Sequence, residues 1–312
     1  MQSFQNILFV STGLSDEKSA LTQAVTVARN NNAKLSVLVL YPKFPKNLAE
    51  YELKYAKHAV DDMRDAISSV TESAGVNGQD FLVSVESAHN EKPAIAIIQH
   101  VLKNDIDVVV KQAEQNDNTA GFKALDMNLL RQCPVPVWLC RAGINCSEGA
   151  KIAVAVDAES DTEEGRDLSI RLLKTAQNVA AYCHGTLKVV SCWRYEFEQS
   201  LRGNSWFKME DHEMADLLAE TETTSFTALQ NLVQQSGLPD GVELYHLKGK
   251  PEQIIPEFMV HHGIDVLVMG TVARTGIQGF LIGNTAENIL QNLSCSLLAL
   301  KPNGFVTPVK IY

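Results

Sequence analysis

Residues 264–300 read IDVLVMGTVARTGIQGFLIGNTAENILQNLSCSLLAL. The largely apolar, β-branched run from Ile264 to Met269 stops at Gly270; a loop with Gly276, Gly279 and Gly283 follows, and an amphipathic stretch begins at Asn284. That is the pattern of strand, glycine loop and helix. A buried parallel strand feeding a glycine-rich turn and a helix N-terminus is a general device for holding phosphate. Glycines let the backbone come close, and the free N–H groups of the first helical turn face the anion. Two plainer readings stand beside it: Asn284-x-x-Glu287 has the form of a capping box, and a glycine loop can be no more than a turn. The loop is not a Walker A sequence, since no GK[ST] follows Gly283, and it does not spell G-x-G-x-x-G.

The alternation of strand and helix extends over the whole chain. Residues 6–10 (NILFV) read as a strand. From Asp16 to Asn30, Leu21, Ala24, Val25 and Ala28 recur at helical spacing. Leu35 to Leu40 is uniformly apolar apart from Ser36, as a strand buried on both faces tends to be. Pro42 and Pro45 stop regular structure, residues 48–74 form a long helix ended by Gly75, and Phe81 to Val85 is a further strand. Pro93 opens a helix carrying Ile95, Ile97, Ile98 and Val101. Asp107 to Val110 is a strand, Leu125 to Gln132 a helix, and Val135 to Cys140 the closing strand. Strands and helices in strict alternation mean a parallel sheet with helices on both faces, and right-handed crossovers make it doubly wound.

Residues 141–150 (RAGINCSEGA) interrupt this order as a linker would, and the pattern then begins again. Lys151 to Asp157 parallels Asn6 to Thr12, Lys250-Pro251 parallels Lys92-Pro93, Ile264 to Val268 parallels Ile106 to Val110, and Ile289 to Asn292 parallels Leu129 to Gln132. Four matches in one order indicate two copies of one domain: residues 1–142, a linker at 143–150, residues 151–304 and a tail at 305–312.

With 312 residues the chain is long enough for both domains, and 45% hydrophobic with 21% charged residues is a globular composition. The net charge of −10 and pI of about 5.3 disfavour a nucleic-acid partner. The start MQSFQNILFV lacks a basic n-region, and no apolar run approaches the roughly 18 residues of a membrane span, so a cytoplasmic protein without a membrane partner is expected. The six cysteines contain no C-x-x-C and are expected to be reduced, buried and apolar in role. His261-His262 and Cys183-His184 each precede a glycine and fit helix C-termini better than metal clusters. No G-x-S-x-G or H-E-x-x-H occurs, and Asp61-Asp62, Glu163-Glu164 and Glu210-Asp211 read as helix surfaces, so no catalytic residues are assigned.

Gly270-x2-Ala273-x9-Gly283-Asn284 resembles the G-x2-G-x9-G-[ST] nucleotide loop of universal stress proteins, with Ala273 at the second glycine and Asn284 at the Ser/Thr position. The following Ile289-Leu290 and Leu293 to Leu298 resemble that family's closing helix and strand, and the tandem layout resembles its two-domain members over essentially the whole chain. The resemblance implies two domains of the adenine nucleotide alpha hydrolase-like fold, each with a five-stranded parallel sheet, joined through their last strands as an intrachain pseudo-dimer. It implies a stress-response regulator that binds ATP, with or without Mg2+, in the second domain and hydrolyses it weakly at most. The implied contacts are Asp157, Cys192, Met269, Gly270, Ala273, Gly283, Asn284 and Thr285, with adenine between Asp157 and Ser191-Cys192-Trp193. For Asp157 a turn or cap role is the competing reading.

In the first copy the corresponding positions differ. Lys111 and Gln112 stand opposite Met269 and Gly270, Thr12 stands at the place of Asp157, and the loop has only Gly121, so a degenerate nucleotide loop is expected. Tyr195, Phe197 and Trp206 concentrate in one second-copy loop, as a lid, a ligand pocket, a partner surface or a satellite cluster would. A nucleotide-independent interaction module, a small-ligand module and a slow ATPase remain alternative functions, and protein partners or a homodimer are left open.

Overall fold

The computed structural model describes residues 4–13, 17–42, 44–73, 82–88, 92–114, 120–142, 149–203, 209–271 and 282–310. In the first half, β1 (Asn6–Ser11), α1 (Lys18–Asn31), β2 (Lys34–Pro42), α2 (Ala49–Ser73) and β3 (Leu82–Ala88) come first. Then follow α3 (Pro93–Lys103), β4 (Val108–Gln112), α4 (Ala124–Gln132) and β5 (Val137–Cys140). The second half runs β6 (Lys151–Ala155), α5 (Glu163–Tyr182), β7 (Thr186–Trp193), α6 (Glu198–Gly203), α7 (Asp211–Ser236) and β8 (Glu243–Lys248). It closes with α8 (Pro251–His262), β9 (Val266–Gly270), α9 (Asn284–Asn292) and β10 (Ser296–Leu300).

Local chemistry sets the helix ends. Pro93 and Pro251 sit in the first turns of α3 and α8, where a missing N–H costs nothing. Thr162 caps α5 by accepting from Gly165 N at 3.1 Å. His261 and His262 do close α8, ahead of Gly263. At the end of α5 the left-handed residue is His184, at φ 43°, and not Gly185. Gly185 is required for space instead: a Cβ there would lie 2.1 Å from the Ala150 carbonyl oxygen, where β6 starts.

The strand order is β3-β2-β1-β4-β5-β10-β9-β6-β7-β8, one ten-stranded sheet. Each half is parallel and doubly wound, and the halves meet where β5 pairs antiparallel with β10, Leu139 opposite Leu297 and Trp138 opposite Leu298. Alternate strand residues point to opposite faces, and both faces are covered. Ile7, Phe9, Val154 and Val268 pack under α1, α2, α5 and α7, while Leu8, Val10, Ala153 and Leu267 pack under α3, α4, α8 and α9. Each core runs through both halves, and the expected pseudo-dimer is a single packed body.

Polar contacts lock the seam. Arg131 Nη2 meets Glu287 Oε1 at 2.5 Å. The Arg141 guanidinium donates to Gly121 O and to Leu293 O, the latter at 2.9 Å, and lies 4.6 Å from the Phe122 ring centroid. Arg141 N donates to Ser296 Oγ at 3.0 Å. Gly121 therefore serves the join: its N–H donates to Leu293 O at 3.0 Å, its φ is +83°, and a Cβ would come within 2.9 Å of Gln291 O. On the opposite face Tyr182 Oη donates to Asn31 Oδ1 at 2.8 Å. The C-terminal residues return to the first half, with Gln99 Nε2 donating to Lys310 O at 2.9 Å and Val309 packed on the core.

The cysteine expectation holds for four residues and fails for one. Cys133, Cys140, Cys192 and Cys295 are free, and burial pushes the Cys295 thiol up to about 12. Cys183 is disulfide-bonded. Its carbonyl accepts from Gly149 N at 3.0 Å, which brings the chain entering β6 against the end of α5. Cys146 and most of the linker lie outside the described residues.

Two outcomes are expected. Arg141→Ala removes the donor shared by two seam carbonyls and should cost about 2–3 kcal/mol in urea-induced unfolding. Lys301, 5% exposed just past β10, has its pKa lowered by burial from 10.5 to about 8. The folded state thus penalises the ammonium fully below pH 8, and the penalty is relieved as pH rises from 8 to 10.5. Lys301→Met should therefore stabilise the protein by up to about 3 kcal/mol at pH 7, with the gain over wild type gone near pH 10.5 in paired melting curves.

Candidate functional site

Strand order reverses between β6 and β9, which pair with Val154 opposite Val268. A doubly wound sheet opens its ligand crevice at such a point, outside the carboxyl ends of the strands. Asp157 lies two residues beyond β6 and is exposed. Its Oδ1 accepts from Glu159 N at 3.2 Å, a local turn, and its backbone carbonyl accepts from Ser169 Oγ at 3.2 Å. The capping role falls to Thr162, which leaves most of the Asp157 carboxylate free to accept from elsewhere. A cleft of about 190 Å3 opens beside it, walled by Asp157 and Ser160 on one side and by Arg166, Asn231 and Gln235 on the other.

Gly270 ends β9 on the α5 face. A Cβ there would lie 2.8 Å from Leu168 Cδ2, so the missing side chain lets α5 pack on the sheet as well as keeping the strand end narrow. Met269 points to the other face and is 4% exposed in the core. Cys192 packs on that same face, and burial followed by the nearby Glu252 carboxylate pushes its thiol up to about 11. Thr271 follows, fully buried, with its N–H on Leu300 O at 3.1 Å. Its hydroxyl has no hydrogen-bond partner among the described residues.

Gly283 is the N-cap of α9, and its N–H donates to Thr271 O at 3.0 Å, tying the two ends of the glycine loop together. Asn284 is the first helical residue and forms no capping box; Glu287 instead turns to Arg131 across the seam. Asn284 and Thr285 are exposed, and the first-turn amides have no acceptor within their own helix. Among the described residues a Cβ on Gly283 would meet nothing within 4 Å. Ala273 and Arg274 lie outside the described residues. The structure thus brings Asp157, Gly270, Gly283, Asn284 and Thr285 to one end of the second sheet, with Cys192 and Met269 in the wall beneath.

The same positions in the first half are filled. Lys111, at the register of Met269, and Asp126, at that of Ala286, form a buried pair with side chains 2% and 0% exposed. Lys111 Nζ donates to Asp126 Oδ1 at 2.9 Å and to Gln112 O at 2.8 Å, while Asp126 Oδ2 accepts from Glu114 N at 2.8 Å. Glu114 Oε2 accepts from Leu125 N, at the start of α4, at 3.3 Å. At the end of β1, Glu17 Oε1 accepts from Thr12 N at 2.9 Å and from Thr12 Oγ1 at 3.1 Å. The chain's own carboxylates therefore take the donors of this crevice.

Asn231, Gln235 and Arg166 escape a reading of the sequence because they look like the solvated sides of amphipathic helices. Only the packing of α5 against α7 sets them beside Asp157. Another group lies under α7. Trp193 and His246 stack with centroids 6.1 Å apart, Phe226 leans on His246 at 5.5 Å, and burial lowers the imidazole pKa. Tyr195 meets Phe197 edge-on at 6.1 Å with Phe197 61% exposed, and Trp206 lies outside the described residues. Among the described residues no group of three or more His, Cys, Asp or Glu could hold a metal, and no helix is long and apolar enough to cross a membrane.

Comparison with known proteins gives a consistent answer. Universal stress protein E of Escherichia coli K12 is 27% identical over 318 aligned residues, covering 100% of this chain and 98% of the relative. Universal stress protein E of Photorhabdus laumondii is 25% identical over 99% of both chains. A crystal structure of a functionally unknown protein from Pseudomonas aeruginosa PAO1 matches with a TM-score of 0.72 at 25% identity, over 97% of this chain and 94% of that one. The model of the universal stress protein family matches twice, at residues 3–141 and 150–301, and the chain belongs to that family as a tandem, two-domain member.

Proposed function

We propose that the protein is a cytoplasmic stress-response regulator whose second domain binds an adenine nucleotide, ATP with or without Mg2+, at the ends of β6 and β9, as a sensor and not as a metabolic enzyme. The contrast between the two halves carries this reading. Where the first half holds Lys111, Asp126 and Glu114 against the start of α4, the second has Met269, Ala286 and, among the described residues, no side chain capping the start of α9. The first-turn amides of α9 would hold phosphate oxygens, and Asp157 would accept from hydroxyl or amino groups of the nucleoside. Cys192 and Met269 supply apolar wall, and the Thr271 hydroxyl is a buried group in want of a partner. Mg2+ would enter on the phosphates.

Calorimetric titration with ATP and Mg2+ tests this directly. Saturable binding at one site per chain is expected, weakened about tenfold or more by Asp157→Ala and lost in Gly283→Val. A Gly283 Cβ meets no described residue within 4 Å, so the valine variant should fold normally, as circular dichroism would check, while its branched side chain blocks the start of α9. No saturable heat with the wild type would sink the nucleotide reading, and a function through protein partners would then be examined at residues 193–212.

The filled crevice of the first half makes its own prediction. Lys111→Met or Asp126→Ala alone strands a buried charge and should cost about 3–5 kcal/mol, whereas the double variant carries the second half's residues at both positions and should be near neutral. Equal losses in the double and single variants, read from urea unfolding, would show that the pair is not an interchangeable filling.

A further inference from the structure

The first half contains a cleft larger than the one beside Asp157, and it lies beneath α2. Of the 25 residues of α2, only Ile67 and Val70, near its C-terminal end, are buried. Its counterpart α7 buries Met214, Ser225, Leu229, Leu232 and Ser236 and so docks along its length. The N-terminal part of α2 is held through Tyr55, whose ring lies 5.3 Å from that of Tyr41 and 5.4 Å from that of Phe44. Beneath the helix is a cleft of about 380 Å3, within the size range of small-molecule sites, roughly 300–1,000 Å3.

Its two ends differ in chemistry. Phe9, Leu21, Val39, Met63, Ala66 and Val70 form an apolar floor and roof. Ser11, Glu17, Lys18, Tyr55, His58 and Asp62 stand around the mouth. The Glu17 carboxylate is already fixed by the two donors of Thr12. A phosphate entering here would meet the Glu17 and Asp62 carboxylates as well as Lys18 and His58, and the Thr12 N–H is already taken by Glu17. An uncharged head that both donates and accepts hydrogen bonds suits a rim carrying hydroxyls and charges of both signs.

We propose that the first domain carries a second ligand site, of a class unlike that of the nucleotide crevice: an uncharged amphipath whose apolar body lies beneath α2 and whose hydroxyl-type head sits among Ser11, Glu17 and Tyr55. The site does not depend on the nucleotide reading. Its probe is N-phenyl-1-naphthylamine, a neutral fluorophore, titrated into the full chain and then competed with 1-decanol or decyl phosphate. Fluorescence should saturate at one probe per chain, and decanol should displace it far better than decyl phosphate. Ala66→Phe and, separately, Ala59→Phe fill the cleft and should each weaken the probe about tenfold. Leu53→Asp, on the exposed side of α2 at 79% exposure, should leave binding unchanged. Far-ultraviolet circular dichroism and an unchanged urea-unfolding midpoint of the same variants establish that the rest of the chain is intact. The proposal is overturned by no saturable enhancement in the wild type, or by undiminished binding in both filled variants. Displacement by decyl phosphate equal to that by decanol overturns the assignment of an uncharged head.

Discussion

Everything in this molecule hangs on one antiparallel strand pair. Alone, β5 and β10 would each be an edge with a row of unpaired N–H and C=O groups, the kind of edge that invites aggregation. Pairing Leu139 with Leu297 and Trp138 with Leu298 turns two parallel sheets into one and lets the helices of both halves share two continuous cores. The seam then needs a polar lock, because α4 and α9 meet there with their ends exposed. Arg141 supplies much of it by reaching Gly121 O and Leu293 O from the end of β5. An arginine suits the position, since a planar fork can serve two carbonyls from one side while its face lies on the Phe122 ring.

The same architecture supports two different fillings at corresponding crevices. A buried Lys–Asp pair contributes little net stability compared with well-packed apolar residues, because desolvating the two charges offsets most of their attraction. Lys111 and Asp126 are therefore better explained by what they do to backbone donors. Asp126 takes the Glu114 N–H, Glu114 takes the Leu125 N–H, and Lys111 neutralises the carboxylate that makes this possible. The first donors of α4 are thus taken by the chain's own carboxylates. In the second half Met269 and Ala286 belong to the apolar core instead.

Most of the architecture was legible from periodicity. The uniformly apolar strands, the prolines at Pro93 and Pro251 and the repeated order of elements follow from short-range chemistry that a sequence carries openly. The seam pairing came from the family resemblance, since no local pattern says which edges will meet. Other features were hidden because they depend on distant contacts. Glu287 has the spacing of a capping residue and is drawn off by Arg131, more than 150 residues away in sequence. Gly121 looked like the remnant of a glycine loop and is a seam residue crowded by Gln291. Cys183 has no sequence signature for a disulfide, yet it is disulfide-bonded. The Lys111–Asp126 pair was half visible: a lysine in an apolar strand is a warning, and its partner lies a loop and a helical turn away.

Covalent fusion changes what such a pair of domains can do. In a symmetric dimer of identical chains, any substitution that closes one crevice closes both, so an internal filling such as Lys111–Asp126 would abolish ligand binding altogether. Within one chain the halves are free to differ while the strand pairing, shared cores and Arg141 lock hold them together. One half can then close the start of its helix with its own side chains while the other exposes Asn284 and Thr285 at the start of α9. Two routes connect the two clefts: the contiguous strands β1, β4, β5, β10, β9 and β6, and the contact of α1 with α5 at Asn31 and Tyr182.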